Sequence, residues 1–554
     1  MPMRHILPAM IAAAVLPAVA GAATPRLAVV ISVDQMRADY LDRFAPHFVE
    51  GGFGRFRSGA NFPQCFYRHG VTKTGPGHAV IMTGVHANVH GIIGNEWKLP
   101  TWPNVEEVNC VEDRQAALVG LEPRAVRSPG GVLESKSGRS PRHLLAATVG
   151  DQLKARHGAA ARVFGVADKD RAAILMSGAA ADGAYWTEEG RVVTSTFYRP
   201  ALPDYLAAFN AEQRPAKVFG ATWDRLLAPA AYEQIQGPDD AEGESTKYGL
   251  GRTFPRRLDG GSGAPAKDFL EAFDHSPWNN DLVADLAKAV IDEEHLGQDD
   301  GAPDLLAIGF SQPDKIGHGY GPDSHEVMDS FLRLDRTLAD LFAFIDAKVG
   351  LANCVFVLTA DHGIPPTPER RAAAGLPGGR VRAADFDGPV TSALAARFGA
   401  APGGQAWAVR DGLGYRLNPA ALAETKASRE EAEELVADTL RRQPNVASVY
   451  TRAQFLGAAP LDAAGEAMRL SFHAQRSPEV FAVLQPFFFD RTEIGVSHGQ
   501  PYDYDQHVPL AWFGAGIKPG RHDARVGVDD VAPTLAGLLG LQAPVPAARG
   551  RPLF

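Results

Sequence analysis

Leu27-Ala-Val-Val-Ile-Ser-Val33, closed by Asp34, is an apolar, β-branched run without polar alternation. Such a run fits a strand covered on both faces. The same form recurs at Leu305–Phe310 leading to Ser-Gln-Pro-Asp314, at Val355–Ala360 leading to Asp361-His362-Gly363, and at Val508–Phe513 leading to Gly-Ala-Gly-Ile517. Helical patterns alternate with these runs. After Asp323-Ser-His-Glu326, read as a capping box, Val327, Phe331, Leu334, Leu338, Leu341 and Ile345 recur at i+3 and i+4 and predict one long amphipathic helix. Val528 to Gly540 reads as a final helix stopped by glycine. Buried strands alternating with amphipathic helices predict an α/β fold with a doubly wound, mostly parallel sheet.

Two stretches, Leu99 to Arg142 and Thr187 to Ala264, are richer in Gly, Pro and charge and read as long loops or insertions that shape a substrate entrance. Residues 365–487 read as a small inserted α+β cap, with a strand at Trp407–Val409, a helix from Ser428 with Glu431 at its third position through Leu440, and a strand at Val446–Tyr450. The core is then 23–364 with 488–554. Residues 1–22 read as a signal peptide: Arg4 and His5, an apolar stretch from Ile6 to Ala20, and small residues at Ala20-Gly-Ala22. The expected location is the bacterial periplasm, with no membrane span after signal removal, since no later stretch holds 18 uninterrupted apolar residues.

With 55 basic against 65 acidic residues, a net charge of −10 and no Lys/Arg run, nucleic acid is not expected as a structural partner. Three cysteines are too few for a disulfide framework and lack zinc-finger spacing. Cys354 lies in an apolar run and reads as a buried hydrophobe, which leaves Cys65 and Cys110 as the expected pair.

In open α/β sheets the site lies beyond the carboxyl ends of the strands. Asp34, Asp314, Asp361 and His362 all follow strand-like runs, and His318 follows Asp314 by four. One Asp after a strand is an ordinary turn residue, but several metal-ligand types at strand ends predict convergence. Thr74 opens an apolar run after Thr72-Lys, in Thr74-Gly-Pro-Gly-His78. Its hydroxyl is expected at a helix start, where unpaired N–H groups and the dipole favour an anion; taken alone, it reads first as a helix cap.

These segments, together with Ser32-Val-Asp34-Gln-Met-Arg, Gly94-Asn95, Lys169-Asp-Arg171-Ala-Ala-Ile, Asp314-Lys-Ile-Gly-His318, Thr359-Ala-Asp-His-Gly363 and Ser497-His498-Gly499, resemble the alkaline phosphatase superfamily, most closely its periplasmic, phosphate-irrepressible type. The resemblance implies an alkaline phosphatase-like core and two zinc ions. It implies that Asp314, His318 and His498 hold one zinc, and that Asp34, Asp361, His362 and the oxygen of Thr74 hold the other. His498 is preferred over His507 because Ser-His-Gly matches the family's loop, which leaves His507 to orient that loop. Thr74 is implied as the nucleophile, forming a phosphothreonine, with Asn95, Lys169 and Arg171 binding the phosphoryl oxygens. Three donors of this kind favour small-molecule phosphate monoesters. The alternatives are a phosphodiesterase or nucleotide pyrophosphatase on the same two-zinc site, and a catalytically silent phosphate-ester-binding protein. No Cys/Ser-x-Pro-x-Arg sulfatase segment occurs.

Overall fold

The computed structural model describes residues 24–99, 101–102, 105–121, 125–127, 133–135, 138–299, 301–544 and 550–554. The signal-peptide reading of 1–22 lies outside the described residues. The central sheet contains β1 (Leu27–Val33), β2 (Val163–Ala167), β3 (Gly183–Glu188), β4 (Asp304–Phe310), β5 (Cys354–Thr359) and β6 (Ala511–Gly514). They lie in the spatial order β6-β5-β1-β4-β2-β3, within a sheet of ten strands among the described residues. β5, β1, β4, β2 and β3 are parallel, with Val33 opposite Phe310 and Ser32 opposite Thr359, so their carboxyl ends line up along one edge. Every residue of β1, β4 and β5 is buried, as uninterrupted apolar runs require when both sheet faces are covered.

The helices that matter for the site are α1 (Thr74–Thr83), α2 (Asp170–Ser177), α3 (Gln312–Tyr320), α4 (His325–Lys348), α5 (Arg429–Arg441) and α6 (Ala463–Ser471). α4 buries Phe331, Leu334, Leu338, Leu341 and Ile345, each worth about 1.5–3 kcal/mol when fully withdrawn from water. Its cap is one residue later than the capping-box reading: the Ser324 side chain accepts from Val327 N. Glu326 instead forms a fully buried ion pair with Arg256. No helix among the described residues is long and apolar enough to cross a membrane.

Two expectations need correcting here. The Val508–Phe513 run is not one strand: His507–Val508 pairs with Cys65–Phe66, and only after Pro509 and Leu510 does β6 begin, running antiparallel to β5. Proline lacks the N–H that an uninterrupted ladder would need. The start of the 187–264 stretch is strand and not loop, because Arg191–Ser195 pairs antiparallel with β3 and extends the central sheet.

Within the inserted segment, four antiparallel strands (Ala408–Asp411, Gly414–Leu417, Val480–Leu484, Val446–Thr451) surround a separate apolar cluster including Val390, Leu394, Tyr415, Val436 and Leu440. α5 begins after Ser428, whose hydroxyl accepts from Glu431 N. Gly379–Val381 pairs with Phe488–Asp490, so ladder hydrogen bonds cross residue 487. The segment also grips two loops of the core. Ser471 Oγ, at the end of α6, accepts from Gly70 N (3.0 Å) and Val71 N (2.9 Å), and Gln500 Oε1 accepts from Leu484 N (3.1 Å).

Candidate active site

Asp34, Asp168-Lys169, Asp314 and Asp361-His362 lie beyond the carboxyl ends of β1, β2, β4 and β5, and the parallel register brings them together. Lys169 Nζ donates to Asp34 Oδ2 at 2.7 Å and to Asp314 Oδ2 at 2.5 Å. His362 Nε2 lies 3.5 Å from Asp34 Oδ1 and 3.3 Å from Asp361 Oδ2. His318 and His498 approach Asp314 Oδ1 with their Nε2 atoms at 3.2 and 3.6 Å. Ligand atoms of Asp314, His318 and His498, and of Asp34, Asp314 and His362, each fall within 4.8 Å of one another. Asp314 thus touches both groups.

The histidines are oriented by the backbone. Nδ1 of His318, His362 and His498 meets the carbonyl oxygens of Val496 (2.8 Å), Gly363 (3.0 Å) and Thr72 (2.7 Å). A carbonyl only accepts, so each Nδ1 carries a proton and each Nε2 is turned toward the carboxylates, the arrangement that orients metal-ligating imidazoles. Burial holds His362 down to about 4, and burial together with His362 holds His498 well below the usual range. Both rings are therefore neutral ligand types.

The carboxylates show the complementary strain. Burial pushes Asp361 up to about 6, and burial with Asp314 and Asp361 nearby raises Asp34. Asp314 also pays for burial, yet His318 and Lys169 hold it well below the carboxylate range. Asp34 Oδ1, Asp361 Oδ2 and His362 Nε2 are all buried without a hydrogen-bond partner in the protein. Three orphaned ligand atoms converging at one place, of mixed oxygen and nitrogen type, fit a divalent metal such as zinc.

Thr74 is the first residue of α1, and Lys73 occupies the cap position without a side-chain cap bond, so Thr74 is not a helix cap. The two glycines that follow are there for close approach. A Cβ at Gly77 would lie 2.2 Å from Asp361 O, and one at Gly75 would lie 3.0 Å from Gly94 O and 3.3 Å from Asn95 Oδ1. Gly75 N donates to Asn95 Oδ1 at 2.7 Å, which commits the amide oxygen and leaves its N–H donors for another acceptor. Arg171 lies in the first turn of α2 with its Nε buried and unpartnered, and Asp170 accepts from Arg139 Nε at 2.5 Å.

Three groups escaped the sequence reading. Gln35, with φ of 67°, donates from Nε2 to Asp314 Oδ1 at 2.6 Å and from its backbone N to Asp361 Oδ1 at 3.0 Å, and Gly317 leaves room for it. Asp505 Oδ2 accepts from Gly499 N (2.8 Å), Gln500 N (2.9 Å) and Thr72 Oγ1 (3.4 Å), tying the His498 loop to the Thr74 loop. Lys315 pairs with Asp168 at 2.7 Å, directly behind the Lys169–Asp314 pair. The proximity of Asp168 to Lys169 and of Lys315 to Asp314 in sequence is the one signal that pointed to this last pair.

Two expectations are corrected. His507 does not orient the His498 loop; it stacks on Phe66 (4.2 Å) and its Nε2 reaches Pro63 O at 2.7 Å, while Asp505 supplies the anchor. Cys65 and Cys110 are free, as is Cys354, and all three are buried. Cys65 pairs in a strand beside Asp529 and Asp530, whereas Cys110 packs under Gly75 near Arg171, two different neighbourhoods.

A family model described as "Type I phosphodiesterase / nucleotide pyrophosphatase" matches residues 28–489. Alkaline phosphatase PhoV of Synechococcus elongatus is 31% identical over 530 residues, covering 94% of this chain and 91% of its own. Alkaline phosphatase PafA of Elizabethkingia meningoseptica is 31% identical over 539 residues, covering 96% and 94%. The PafA crystal structure superposes with a TM-score of 0.85 over 96% of this chain and 99% of that one, at 30% identity. Venom phosphodiesterase 2 of Crotalus adamanteus matches over only 63 residues, 11% of this chain and 8% of its own. The chain belongs to the alkaline phosphatase superfamily, within the family that the type I phosphodiesterase / nucleotide pyrophosphatase model describes and with the alkaline phosphatases PhoV and PafA as relatives over nearly its whole length.

Proposed function

We propose that the protein is an exported, zinc-dependent alkaline phosphatase that hydrolyses phosphate monoesters through a phosphothreonine at Thr74. The observation that carries the reading is the set of orphaned ligand atoms on Asp34, Asp361 and His362, assembled where α1 begins. Asp314, His318 and His498 would hold one zinc, and Asp34, Asp361, His362 and Thr74 Oγ1 the other, each mixed donor set being of zinc type. Bound zinc supplies Lewis-acid charge that acidifies a coordinated hydroxyl and neutralises a departing oxygen.

The chain's own residues do the rest. Thr74 Oγ1 gives up its proton to solvent and forms a bond to phosphorus as the bond to the leaving oxygen breaks, and that oxygen takes up a proton from solvent and departs as the alcohol; water then cleaves the phosphothreonine, restores the hydroxyl and releases inorganic phosphate. The start of α1 favours the phosphoryl charge through its N–H groups and dipole. Asn95, held by Gly75 N, presents its amide N–H, and Arg171 presents a two-pronged donor. Lys169 adds a point charge beside Asp34 and Asp314. Donors for several non-bridging oxygens suit a dianionic monoester better than a diester, which has one charge fewer and an extra substituent. The full-length similarity to PhoV and PafA, against the short venom phosphodiesterase match, supports the same choice. Export to the periplasm is supported by the signal-like residues 1–22.

Turnover of 4-nitrophenyl phosphate, bis(4-nitrophenyl) phosphate and 4-nitrophenyl sulfate by the zinc-loaded protein tests the reading. The monoester is expected to lead by at least tenfold in kcat/KM, and Thr74→Ala to abolish phosphoenzyme labelling. A faster diester would move the protein to the phosphodiesterase alternative, and zinc binding with no turnover of any ester to the silent one.

A further inference from the structure

A cleft of about 160 Å³ opens beside the site, between the core and the inserted segment. It touches the residues that flank the proposed chemistry: Lys73 precedes Thr74, Gly94 precedes Asn95, and Ser497, His498 and Gly499 form its floor. Its walls carry Val71, Ile93 and Trp97 from the core and Leu413, Met468 and Phe481 from the insert, alongside Lys73, Glu96, Asp411, Asp490 and Gln500. Phe481, Leu413 and Val71 are only half-buried, so apolar side chains remain partly open to solvent at this place.

The polar groups in the wall are mostly spoken for. Asp411 pairs with Arg416 at 2.7 Å and accepts from Lys98 N, Asp490 accepts from Ala383 N, and Gln500 Oε1 accepts from Leu484 N. The Lys73 stem runs along Gly499, where a Cβ would lie 3.2 Å from Cε. What is left for an occupant is a cleft of small-molecule size with apolar side chains at Val71, Ile93, Leu413 and Phe481 and polar groups at Lys73, Glu96 and His498, its Lys73 edge one residue from Thr74 along the chain.

We infer that this cleft is the leaving-group subsite and that the enzyme favours phosphate monoesters of apolar, ring-bearing alcohols, with Phe481 and Leu413 as the specificity-determining residues contributed by the insert. This rests on the phosphomonoesterase reading, in which the leaving oxygen departs on the side of Asp314, His318 and His498. In-line displacement sends the alcohol away from Thr74, and the space lined by His498 is then what receives it. A ring seated against the half-buried Phe481 and Leu413 loses its contact with water and gains offset or edge contacts with Phe481. Because the slot acts on the alcohol alone, it discriminates between monoesters without altering how the phosphoryl oxygens are held.

The test compares 2-naphthyl phosphate with phenyl phosphate, whose leaving groups are similar in acidity and differ in apolar area. The zinc-loaded wild type is expected to prefer the naphthyl ester about tenfold in kcat/KM, mainly through KM, as one additional buried apolar increment implies. Phe481→Ala and Leu413→Ala are each expected to bring the ratio to within about twofold of unity and to raise the competitive Ki of 2-naphthol about tenfold. The Ki of inorganic phosphate, which has no leaving group, is expected to move less than about twofold, which reports an intact fold and phosphoryl site. Should Phe481→Ala fail to fold, Leu413→Ala and Phe481→Leu carry the comparison. An unchanged naphthyl-to-phenyl ratio in the folded variants, or no preference in the wild type, overturns the inference. Loss of the phosphomonoesterase reading itself is visible separately, as faster diester than phenyl phosphate turnover by the wild type.

Discussion

Asp505 is the clearest case of a single residue on which the geometry of others depends. It is fully buried, its Oδ2 accepts two backbone N–H groups of the His498 loop and lies within reach of Thr72 Oγ1, and His498 Nδ1 in turn donates to Thr72 O. Burial raises the Asp505 carboxyl, and those N–H and O–H donors pull the other way. Removing the acceptor strands two buried donors and frees the loop that carries one proposed zinc ligand. Asp505→Ala is therefore expected to weaken zinc binding about 10–100-fold, read as metal retained against a competing chelator, with Asp505→Asn recovering part of it through its remaining amide oxygen. Unchanged zinc retention in the Ala variant would remove the anchoring role. Asp505 and Gln35 were illegible in the sequence because what they do is set by tertiary contacts: Asp505 accepts backbone N–H groups of Gly499 and Gln500 while reaching Thr72, and the Gln35 partner Asp314 is 279 residues away. Asp34, Asp314, Asp361 and His362 could be read because each terminates an apolar run, and the register of a parallel sheet gathers such positions whatever their separation along the chain.

At the scale of elements, the first turn of α1 is shaped by what it must approach. Gly77 places the helix against the backbone of Asp361, and a methyl there would meet Asp361 O at 2.2 Å, a contact that a backbone atom cannot relieve by a rotamer change. Gly77→Ala is expected to push the helix and Thr74 outward and to reduce kcat/KM by about 10²-fold or more, the cost typical of an ångström-scale misplacement. Gly388 provides the contrast. It lies in the helix Asp387–Phe398 of the insert with open space around its Cβ direction and no left-handed φ, so Gly388→Ala is expected to stabilise by about 0.5–1 kcal/mol and raise Tm with activity unchanged. Equal effects of the two substitutions on activity would contradict the close-approach account. Long elements such as α4 and β1 were readable from periodicity, whereas the break at Pro509 and the shift of the α4 cap from Asp323 to Ser324 were not. In the second case Glu326, the residue that suggested a capping box, is drawn into a buried pair with Arg256 from a distant segment. A local signal gave way to a tertiary contact.

For the molecule as a whole, the carboxylate cluster makes stability depend on pH and metal together. Asp361 is raised to about 6 by burial, and Asp34 is raised by burial and by its acidic neighbours. A carboxyl whose folded pKa lies above its unfolded value binds its proton more tightly in the native state. The stability it contributes is fully present below the unfolded value, near 4, and is lost as pH rises through the folded one. The chelated protein is therefore expected to lose Tm between about pH 4 and pH 6–7, insofar as Asp361 and Asp34 dominate the change. Metal binding runs the other way, because the ligands must be ionised and the loaded native state is stabilised by mass action, roughly 4 kcal/mol at a thousandfold excess over Kd. The difference in Tm between zinc-loaded and EDTA-treated protein should then be larger at pH 8 than at pH 5.5, as calorimetry at matched ionic strength would measure. A difference that shrinks as pH rises would mean that the buried carboxylates do not meet the metal, and would break the link between the orphaned atoms of the site and the ions assigned to it.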